Sequence, residues 1–266
     1  MATYRLKDRI AVITGGARGI GFGIASRFVQ EGARVIIADV LEEGGEAARR
    51  LGERACFYRI DLRSRSAIFE MADELVRRYG RIDILVNCAG IARPVPTLNL
   101  SEEVLDEVID INLKAPLFCC QAVGRYMRRQ GGGSIINISS GNSRMINVGR
   151  TPYGITKGAV NLLTMQLGAE WAMYHIKVNA IAPGWIETEM VKRPLRSGIL
   201  DEKKILSVSP IGRFGKVEEI ANLALFLAGA ESDYIVGQVL FADGGWSLGI
   251  MPDGLDYVRE NDTEEE

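Results

Sequence analysis

Histidine is almost absent from this chain, because His175 is the only one among 266 residues. A lone imidazole excludes the zinc centres that several histidines form together. The sequence also shows no order of serine, histidine and aspartate that is typical of hydrolases. The chemistry of the protein therefore has to rest on other side chains.

Cysteine is scarce as well, and long apolar runs are missing. The four cysteines, Cys56, Cys88, Cys119 and Cys120, lie in apolar segments at spacings that fit neither a metal site nor a disulfide. No apolar run approaches the ~20 residues that a membrane span needs, and the first residues lack the apolar core of a secretory signal. We therefore expect a cytoplasmic protein with reduced cysteines in its core and no membrane partner.

An excess of charge of either sign is missing too. The 32 basic and 34 acidic residues leave a formal net charge of −2, which gives no electrostatic reason to expect a nucleic-acid partner. Apolar residues, by contrast, make up 47% of the chain, enough for the core of one α/β domain. We expect a single domain over residues 1–266, with a core at about 6–250 and a C-terminal extension at 251–266 that ends in an acidic tail.

A glycine-rich turn follows the first apolar run, Arg9–Thr14. It contains Gly15, Gly19 and Gly21 and leads into an amphipathic segment that reaches Gln30. Strand, glycine turn and helix are the context in which a pyrophosphate binds, because glycines allow close approach and the helix N-terminus faces the negative charge. The glycine spacing departs from the usual Gly-x-Gly-x-x-Gly pattern, so a turn without a ligand stays open at this point.

The second apolar run, Arg34–Asp39, ends in a carboxylate. Asp39 lies 18 residues after Gly21, close to the ~20 at which a carboxylate holds the adenosine ribose of a dinucleotide. Its negative charge would repel a 2′-phosphate, which favours NAD over NADP. Arg18 in the turn is a basic residue that could accommodate that phosphate, and an aspartate at a strand end is also a common turn former.

Strands and helices go on alternating without a proline-rich linker. Ala55–Ile60 ends at Asp61, and Asp83–Asn87 runs into the small residues Ala89 and Gly90, which would let a flat ring approach the backbone. The alternation predicts one doubly wound parallel sheet with helices on both faces.

Polar side chains of three kinds follow in the second half of the chain. Ser139 and Ser140 end the apolar run Ile135–Ile138, whereas Tyr153 and Lys157 lie four positions apart in a helical segment, a spacing that puts both on one face. An unperturbed phenol titrates near ~10, and a close ammonium favours the phenolate. A hydroxyl, a phenol and a cation at the carboxyl edge of the sheet suit proton transfer to or from an alcohol oxygen. A Tyr-x-x-x-Lys pair alone is also common on an ordinary helix surface.

Taken in order, these motifs resemble those of the short-chain dehydrogenase/reductase family. The resemblance rests on Thr14-Gly15-x-x-x-Gly19-x-Gly21, Asn87-Cys88-Ala89-Gly90, Asn112, Ser140 thirteen positions before Tyr153-x-x-x-Lys157, Asn179-Ala-Ile-Ala-Pro183-Gly184 after the sixth strand, and Thr188. It covers roughly residues 6 to 250. It implies a Rossmann-like fold with a seven-stranded parallel sheet, and an oxidoreductase that transfers a hydride between NAD(H) and a secondary alcohol or ketone.

The resemblance also implies a role for each catalytic residue. Tyr153 is the implied acid and base, Lys157 lowers its pKa and binds the nicotinamide ribose, and Ser140 holds the substrate oxygen. Asn112, through its backbone in a kinked helix, is implied to hold a relay water. The implied cofactor contacts, with NAD preferred to NADP, are Gly15, Arg18, Gly19, Ile20, Gly21, Asp39, Asp61, Leu62, Asn87, Ala89, Gly90, Tyr153, Lys157, Pro183, Gly184, Ile186 and Thr188.

Several residues near these motifs are candidates for the substrate site. Arginine suits a carboxylate or a phosphate, so a polyol, a sugar or a sugar acid is the favoured substrate; the same arginines are equally compatible with solvated loops. The candidates are Arg93, Asn142, Arg144, Arg150 and Trp185, the last of which opens a segment to Pro210 that the resemblance implies to be a lid.

Two other functions stay open. A 3-oxoacyl-[acyl-carrier-protein] reductase that uses NADPH has a similar pattern, although Asp39 counts against it. A nucleotide-binding protein without catalysis is the other, although intact Ser140, Tyr153 and Lys157 count against it.

The resemblance implies a homotetramer, or a homodimer, that pairs through the helix of Tyr153. Gly154, Gly158 and Gly168 on that helix would allow close packing between copies. The helix Val217–Ala228 and the last strand are the second implied contact.

Overall fold

Parallel strands form one sheet in the order β3-β2-β1-β4-β5-β6-β7, seven strands within the described residues. They are β1 (Ile10–Thr14), β2 (Arg34–Asp39), β3 (Ala55–Arg59), β4 (Ile84–Asn87), β5 (Gly133–Ile138), β6 (Ile176–Pro183) and β7 (Val239–Ala242). The computed structural model describes residues 4–249, so the extension expected at 251–266 lies outside the described residues. The predicted doubly wound parallel sheet is confirmed.

Helices alternate with these strands. They are α1 (Gly19–Gln30), α2 (Glu43–Leu51), α3 (Arg65–Tyr79), α4 (Glu102–Ile109), α5 (Ala115–Arg129), α6 (Thr151–Trp171), α7 (Glu189–Arg196), α8 (Glu202–Ser207) and α9 (Val217–Ala228). A π-helical turn, Asp110–Lys114, joins α4 to α5. No helix within residues 4–249 combines the length and the apolar character needed to cross a membrane.

The core has two halves, one on each face of the sheet. Ala11 and Ile13 of β1 pack in a cluster with Phe28 of α1, whereas Val12 packs in a second cluster with Met71 of α3. Successive side chains of a strand point to opposite faces, and strands covered on both sides are apolar throughout. This explains why the strands read as unbroken apolar runs.

The four cysteines differ in how deeply they lie in this core. All four are free thiols; Cys119 and Cys120 are buried, but Cys56 and Cys88 are only half-buried. Cys56 of β3, at the sheet edge, and Cys88, directly after β4, are less buried than the other two, but each packs against one of the two core clusters, as expected for core cysteines.

The strand order reverses direction between β1 and β4. Thr14 of β1 pairs with Asn87 of β4, so the glycine turn and the segment after Asn87 leave the sheet side by side. Ligands of open α/β sheets bind in the crevice at such a switch point. One motif is displaced from its expected place: Asn179–Pro183 forms the last part of β6 rather than the segment after it.

Candidate active site

Tyr153 and Lys157 occupy the first two turns of α6. The helix begins at Thr151, and Pro152 is tolerated there because the first helical N–H groups have no intrahelical partner. Lys157 is only 5% exposed, its Nζ lies 5.6 Å from the centroid of the Tyr153 ring, and it donates a hydrogen bond of 2.8 Å to the Ile138 carbonyl. The predicted pairing of phenol and ammonium on one helix face is thus present.

Burial sets the protonation of both groups. Burial lowers the pKa of Lys157 to about 8. It raises the pKa of Tyr153, and the Ser140 hydroxyl and then the charge of Arg150 oppose that rise. In this structure the groups that lower the Tyr153 pKa are Ser140 and then Arg150, and the Lys157 ammonium donates to the Ile138 carbonyl. The effect of Lys157 on the Tyr153 pKa stays a prediction.

The two serines at the end of β5 have different tasks. Ser139 is 3% exposed, and its hydroxyl lies 2.5 Å from the Asn161 Oδ1 and 3.2 Å from the Lys157 carbonyl, so it ties β5 to α6. Ser140 is half-buried and accepts a hydrogen bond from the Asn142 N–H at 3.1 Å. Its hydroxyl lowers the pKa of Tyr153. The geometry therefore favours Ser140 as the substrate-facing hydroxyl.

Asn112 is fully buried in the π-helical turn. Its Oδ1 accepts from the Ile91 N–H and its Nδ2 donates to the Ile91 carbonyl, both at 2.9 Å. A π-turn widens a helix locally and is often found at functional sites. Because the amide holds the loop after β4, only the backbone of Asn112 remains for the relay role.

Sequence reasoning missed Thr156, which connects Asn112 to Tyr153. The Thr156 hydroxyl lies 2.9 Å from the Tyr153 carbonyl and 3.0 Å from the Pro152 carbonyl, and it accepts from Asn112 Nδ2 at 3.3 Å. The available signal was a hydroxyl residue directly before Lys157, but the partner that gives it a place in the site, Asn112, is distant in sequence.

The glycine turn has the shape that a pyrophosphate needs. Gly15 and Gly19 have φ values of +66° and +56°, which non-glycine residues rarely adopt. A Cβ on Gly15 would come within 2.7 Å of the Ala89 backbone, and one on Gly21 within 2.2 Å of the Gly15 carbonyl. Arg18 and Ile20 flank the start of α1, with Arg18 exposed. The residues present therefore fit a dinucleotide at the N-terminus of α1.

The two predicted adenosine contacts differ in how their carboxylates are used. Asp39 is buried beside the turn and accepts from the N–H groups of Ala17 and Leu41, each at 3.1 Å. Asp61 is instead paired with Arg63, whose hydrogen bonds lower its pKa. Leu62, next to Asp61, is buried.

The residues predicted to contact the nicotinamide lie at the ends of β4 and β6 and in the segments that follow them. Asn87 donates to Asn137 Oδ1 at 2.9 Å, while its own buried Oδ1 has no partner within the described residues. A Cβ on Gly90 would lie 3.5 Å from Lys157 Nζ, and one on Gly19 would lie 3.6 Å from the Thr188 side chain. The remaining predicted contacts are Pro183 and Ile186, which are buried, and Gly184, which packs against Asp243.

The predicted substrate arginines do not share one environment. Arg93 forms a bidentate ion pair with Glu107, with hydrogen bonds of 2.8 and 2.9 Å. Arg144 is exposed, and its guanidinium carbon lies 5.6 Å from the centroid of the Phe241 ring. Arg150 is half-buried and close enough to lower the pKa of Tyr153.

The other two substrate candidates are Asn142, next to Ser140, and Trp185, near α8. The Asn142 backbone holds Ser140, as described above. Trp185 packs on Trp246, with ring centroids 5.8 Å apart, and lines a cavity of about 260 Å³ with Ile205 of α8 and Phe241 of β7. Ser140 and Tyr153 do not line that cavity.

Comparison with known proteins places these features in a family. The family model for enoyl-(acyl carrier protein) reductases matches residues 15–247. A 3-oxoacyl-[acyl-carrier-protein] reductase of Thermotoga maritima is 42% identical over 248 residues, which cover 91% of this chain and 98% of the relative. An NAD-dependent glycerol dehydrogenase of Listeria innocua is 35% identical, with 92% and 96% covered.

Solved structures agree with the sequence relatives. A gluconate 5-dehydrogenase of Burkholderia cenocepacia in complex with NADP and tartrate superposes with a TM-score of 0.88 and 38% identity, covering 93% of this chain and 98% of the other. The chain therefore belongs to the short-chain dehydrogenase/reductase family and is an NAD(P)-dependent oxidoreductase acting on CH–OH groups.

Proposed function

We propose that this enzyme oxidises a secondary alcohol of a polyol, a sugar or a sugar acid, with NAD as the preferred hydride acceptor. The observation that carries the proposal is the placement of Tyr153 and Lys157 on one face of α6, beside Ser140 and at the sheet edge that holds the glycine turn. Its free cysteines fit a cytoplasmic location.

The residues divide the work of proton transfer. During oxidation the phenolate form of Tyr153 accepts the proton of the substrate hydroxyl and becomes the phenol, and during reduction the phenol returns that proton to the carbonyl oxygen. Ser140 holds that oxygen by a hydrogen bond, which fixes the reacting carbon for transfer. A nicotinamide cofactor, when bound, would supply the hydride acceptor or donor.

Lys157 serves the cofactor and the proton path. An ammonium has three donors, and one of them is used on Ile138. The remaining donors are available to the ribose hydroxyls of the nicotinamide half, and the backbone of Asn112 holds the water through which a proton leaves.

Asp39 supports the preference for NAD. A buried carboxylate beside the phosphate-binding turn repels a 2′-phosphate, a repulsive element that selects between two similar ligands. We expect kcat/KM to be higher with NAD than with NADP, and Asp39→Ala to reduce that ratio by about tenfold or more, equivalent to ~1.4 kcal/mol. A clear NADP preference of the parent enzyme would show that Arg18 outweighs Asp39.

The substrate class is tested by one screen. Polyols, sugars, sugar acids and hydroxyacyl thioesters are each incubated with NAD and with NADP, and cofactor reduction is followed spectroscopically. We expect turnover of polyhydroxy substrates with NAD. No turnover of any alcohol would favour a nucleotide-binding protein without catalysis.

A second candidate function is reduction of 3-oxoacyl thioesters with NADPH. It is favoured by the 42% identity to the 3-oxoacyl reductase of Thermotoga maritima. Faster NADPH oxidation with an acetoacetyl thioester than NAD reduction with any polyol or sugar acid would establish it in place of the first proposal.

We also propose that copies of the chain pair through α6 into a homotetramer, or a homodimer. Ile155, Leu162 and Met165 lie on α6 with exposed fractions of 54%, 57% and 52%, and a Cβ on Gly158 would meet nothing within 4 Å. A Cβ on Gly168, in contrast, would lie 2.6 Å from the Gly237 Cα of the same chain, so Gly168 packs within its own chain rather than against another copy. Light scattering of the parent and of Leu162→Glu tests the pairing, because a charge there should reduce a tetramer to dimers, or a dimer to monomers.

A further inference from the structure

The charge around Tyr153 is one-sided. Two cations, Lys157 and Arg150, surround the reacting position, and no aspartate or glutamate within residues 4–249 is among the groups that shift the pKa of Tyr153 or of Lys157. The Cys88 thiol is among the groups that shift both pKa values, and burial raises its own pKa to about 12, so it is neutral at physiological pH. Among the described residues the site therefore has positive charge without a carboxylate counterion.

Of these two cations, Lys157 is assigned to the cofactor ribose, and Arg150 has no assigned cofactor contact. It stands at the N-cap of α6, three positions before Tyr153, and its backbone carbonyl accepts from the Gly154 N–H at 2.8 Å. Residues three apart at a helix start lie on neighbouring parts of one face. A half-buried arginine normally has a carboxylate, a carbonyl or a ring as partner. Among the described residues the Arg150 guanidinium has none of these.

The other candidate arginines lack this combination. Glu107 already neutralises Arg93, and Arg144 is exposed on the Phe241 ring. Arg150 alone of the three joins partial burial, a free guanidinium and proximity to the catalytic phenol.

We propose that Arg150 binds the carboxylate of the substrate, so that the enzyme acts on sugar acids in preference to neutral polyols. The inference rests on the proposed function and narrows its substrate class. A guanidinium binds a carboxylate through two parallel hydrogen bonds, which fixes the orientation of the substrate as well as its charge. The hydroxyl to be oxidised then lies next to Tyr153 and Ser140 because the carboxylate is held one helical turn away.

A bound carboxylate would also change Tyr153. In the free enzyme the charge of Arg150 lowers the pKa of that phenol. A substrate carboxylate offsets this charge, so the pKa of Tyr153 rises when a sugar acid binds and stays where it was when a neutral polyol binds. The pH dependence of kcat/KM follows the free enzyme and that of kcat follows the substrate complex, so the two profiles should separate for sugar acids only.

The experiment compares gluconate with sorbitol, which differs from it in lacking the carboxylate. Arg150→Gln should raise the KM for gluconate by about 10- to 100-fold, the size expected when hydrogen bonds to a charged group are lost. On the high-pH plateau, where the loss of the Arg150 charge no longer changes the protonation of Tyr153, it should change kcat/KM for sorbitol by less than about twofold. Arg150→Lys should restore part of the gluconate affinity. Arg128→Gln, on an exposed arginine of α5 that lies over the Tyr174 ring, controls for a general loss of charge.

The pH profile separates binding from a structural role. With gluconate the rising limb of kcat should lie at higher pH than that of kcat/KM, and in Arg150→Gln the two limbs should coincide. Coincident limbs in the parent enzyme would overturn the proposal. So would a larger effect of Arg144→Gln than of Arg150→Gln on the gluconate KM.

Two further outcomes keep this inference distinct from the function it rests on. Turnover of sorbitol as efficient as that of gluconate, unchanged in Arg150→Gln, would overturn the carboxylate site and leave the proposed dehydrogenase intact. Preference for sorbitol 6-phosphate over gluconate would assign Arg150 to a phosphate and overturn the carboxylate. Two results together would overturn both proposals. The first is no turnover of gluconate, sorbitol or sorbitol 6-phosphate, and the second is no binding of gluconate to the cofactor-bound enzyme in calorimetry.

Discussion

Two buried lysines at opposite edges of the sheet are treated differently. Lys177, near the amino end of β6, donates to the Gly229 carbonyl at 2.6 Å and to Ser232 Oγ and Asp233 Oδ1 at 2.9 Å each. Lys157, at the carboxyl edge, donates only to the Ile138 carbonyl within the described residues. Among the described residues, the ammonium of Lys177 at the amino edge therefore has three hydrogen-bond partners, whereas that of Lys157 at the carboxyl edge has one.

The difference separates stability from function. Burying a cation costs free energy unless hydrogen bonds and an opposite charge offset it. Asp83 shows the same completeness at the amino edge, since Arg9 and Arg81 both bind its carboxylate. Lys157 and Arg150 have no carboxylate partner among residues 4–249, and we infer that cofactor and substrate oxygens complete their hydrogen bonding.

The largest expected effect is on turnover at the carboxyl edge. Tyr153→Phe and Lys157→Met should each lower kcat by at least ~100-fold, the low end for a lost acid–base group. Lys157→Met should not lower the urea midpoint, because it removes a buried charge with little compensation. Near-normal turnover of Tyr153→Phe with natural substrate would contradict the proton-transfer role.

The pH dependence of stability should follow from Lys157. Its folded-state pKa of about 8 lies below the ordinary value of 10.5, so between these values the unfolded chain binds more protons and stability rises with pH. Relative to Lys157→Met, the ligand-free enzyme should gain about 2 kcal/mol between pH 7 and ~9.5. Urea unfolding of both proteins across that range measures it; parallel profiles would mean that Lys157 titrates normally.

Replacement at the amino edge should affect stability alone. Lys177→Met leaves the Gly229 carbonyl and the Ser232 hydroxyl without their charged donor, which should cost about 1.5 kcal/mol of unfolding free energy. The kcat of the folded protein should stay within about twofold of the parent. A large loss of kcat without loss of stability would break the contrast between the two edges.

The smallest effect is expected at Thr156, which links the two buried polar groups behind the site. Thr156→Val removes the hydroxyl between Asn112 and the Tyr153 carbonyl with little change in shape, at a cost of about 1 kcal/mol. We expect a kcat about fivefold lower, an unchanged KM for NAD and restoration by Thr156→Ser. A changed KM for NAD with unchanged kcat would show that Thr156 acts on the cofactor instead of on Tyr153.

Many features of this fold could be predicted from short segments of the sequence. Unbroken apolar runs predicted the strands because both faces of a parallel sheet are covered, and the residues Gly15, Gly19 and Gly21 predicted a turn that side chains would block. Tyr153 and Lys157 were placed correctly because four residues make about one helical turn. The sequence pattern could not show that Lys157 points to Ile138 or that Gly168 packs on Gly237, since those partners are far along the chain.

The amino-acid sequence alone predicted the parallel sheet from the alternation of strands and helices. It also predicted the glycine turn and the placement of Tyr153 and Lys157 on one helix face, because each of these two features depends on residues within one or two turns of one another. Only the tertiary structure decided between Arg93, Arg144 and Arg150. Their spacing is uninformative, and what distinguishes them is a counterion, a ring or an open site brought near by distant segments. An arginine is available to bind a substrate when folding brings no partner to its guanidinium within the described residues, and only the tertiary structure shows this.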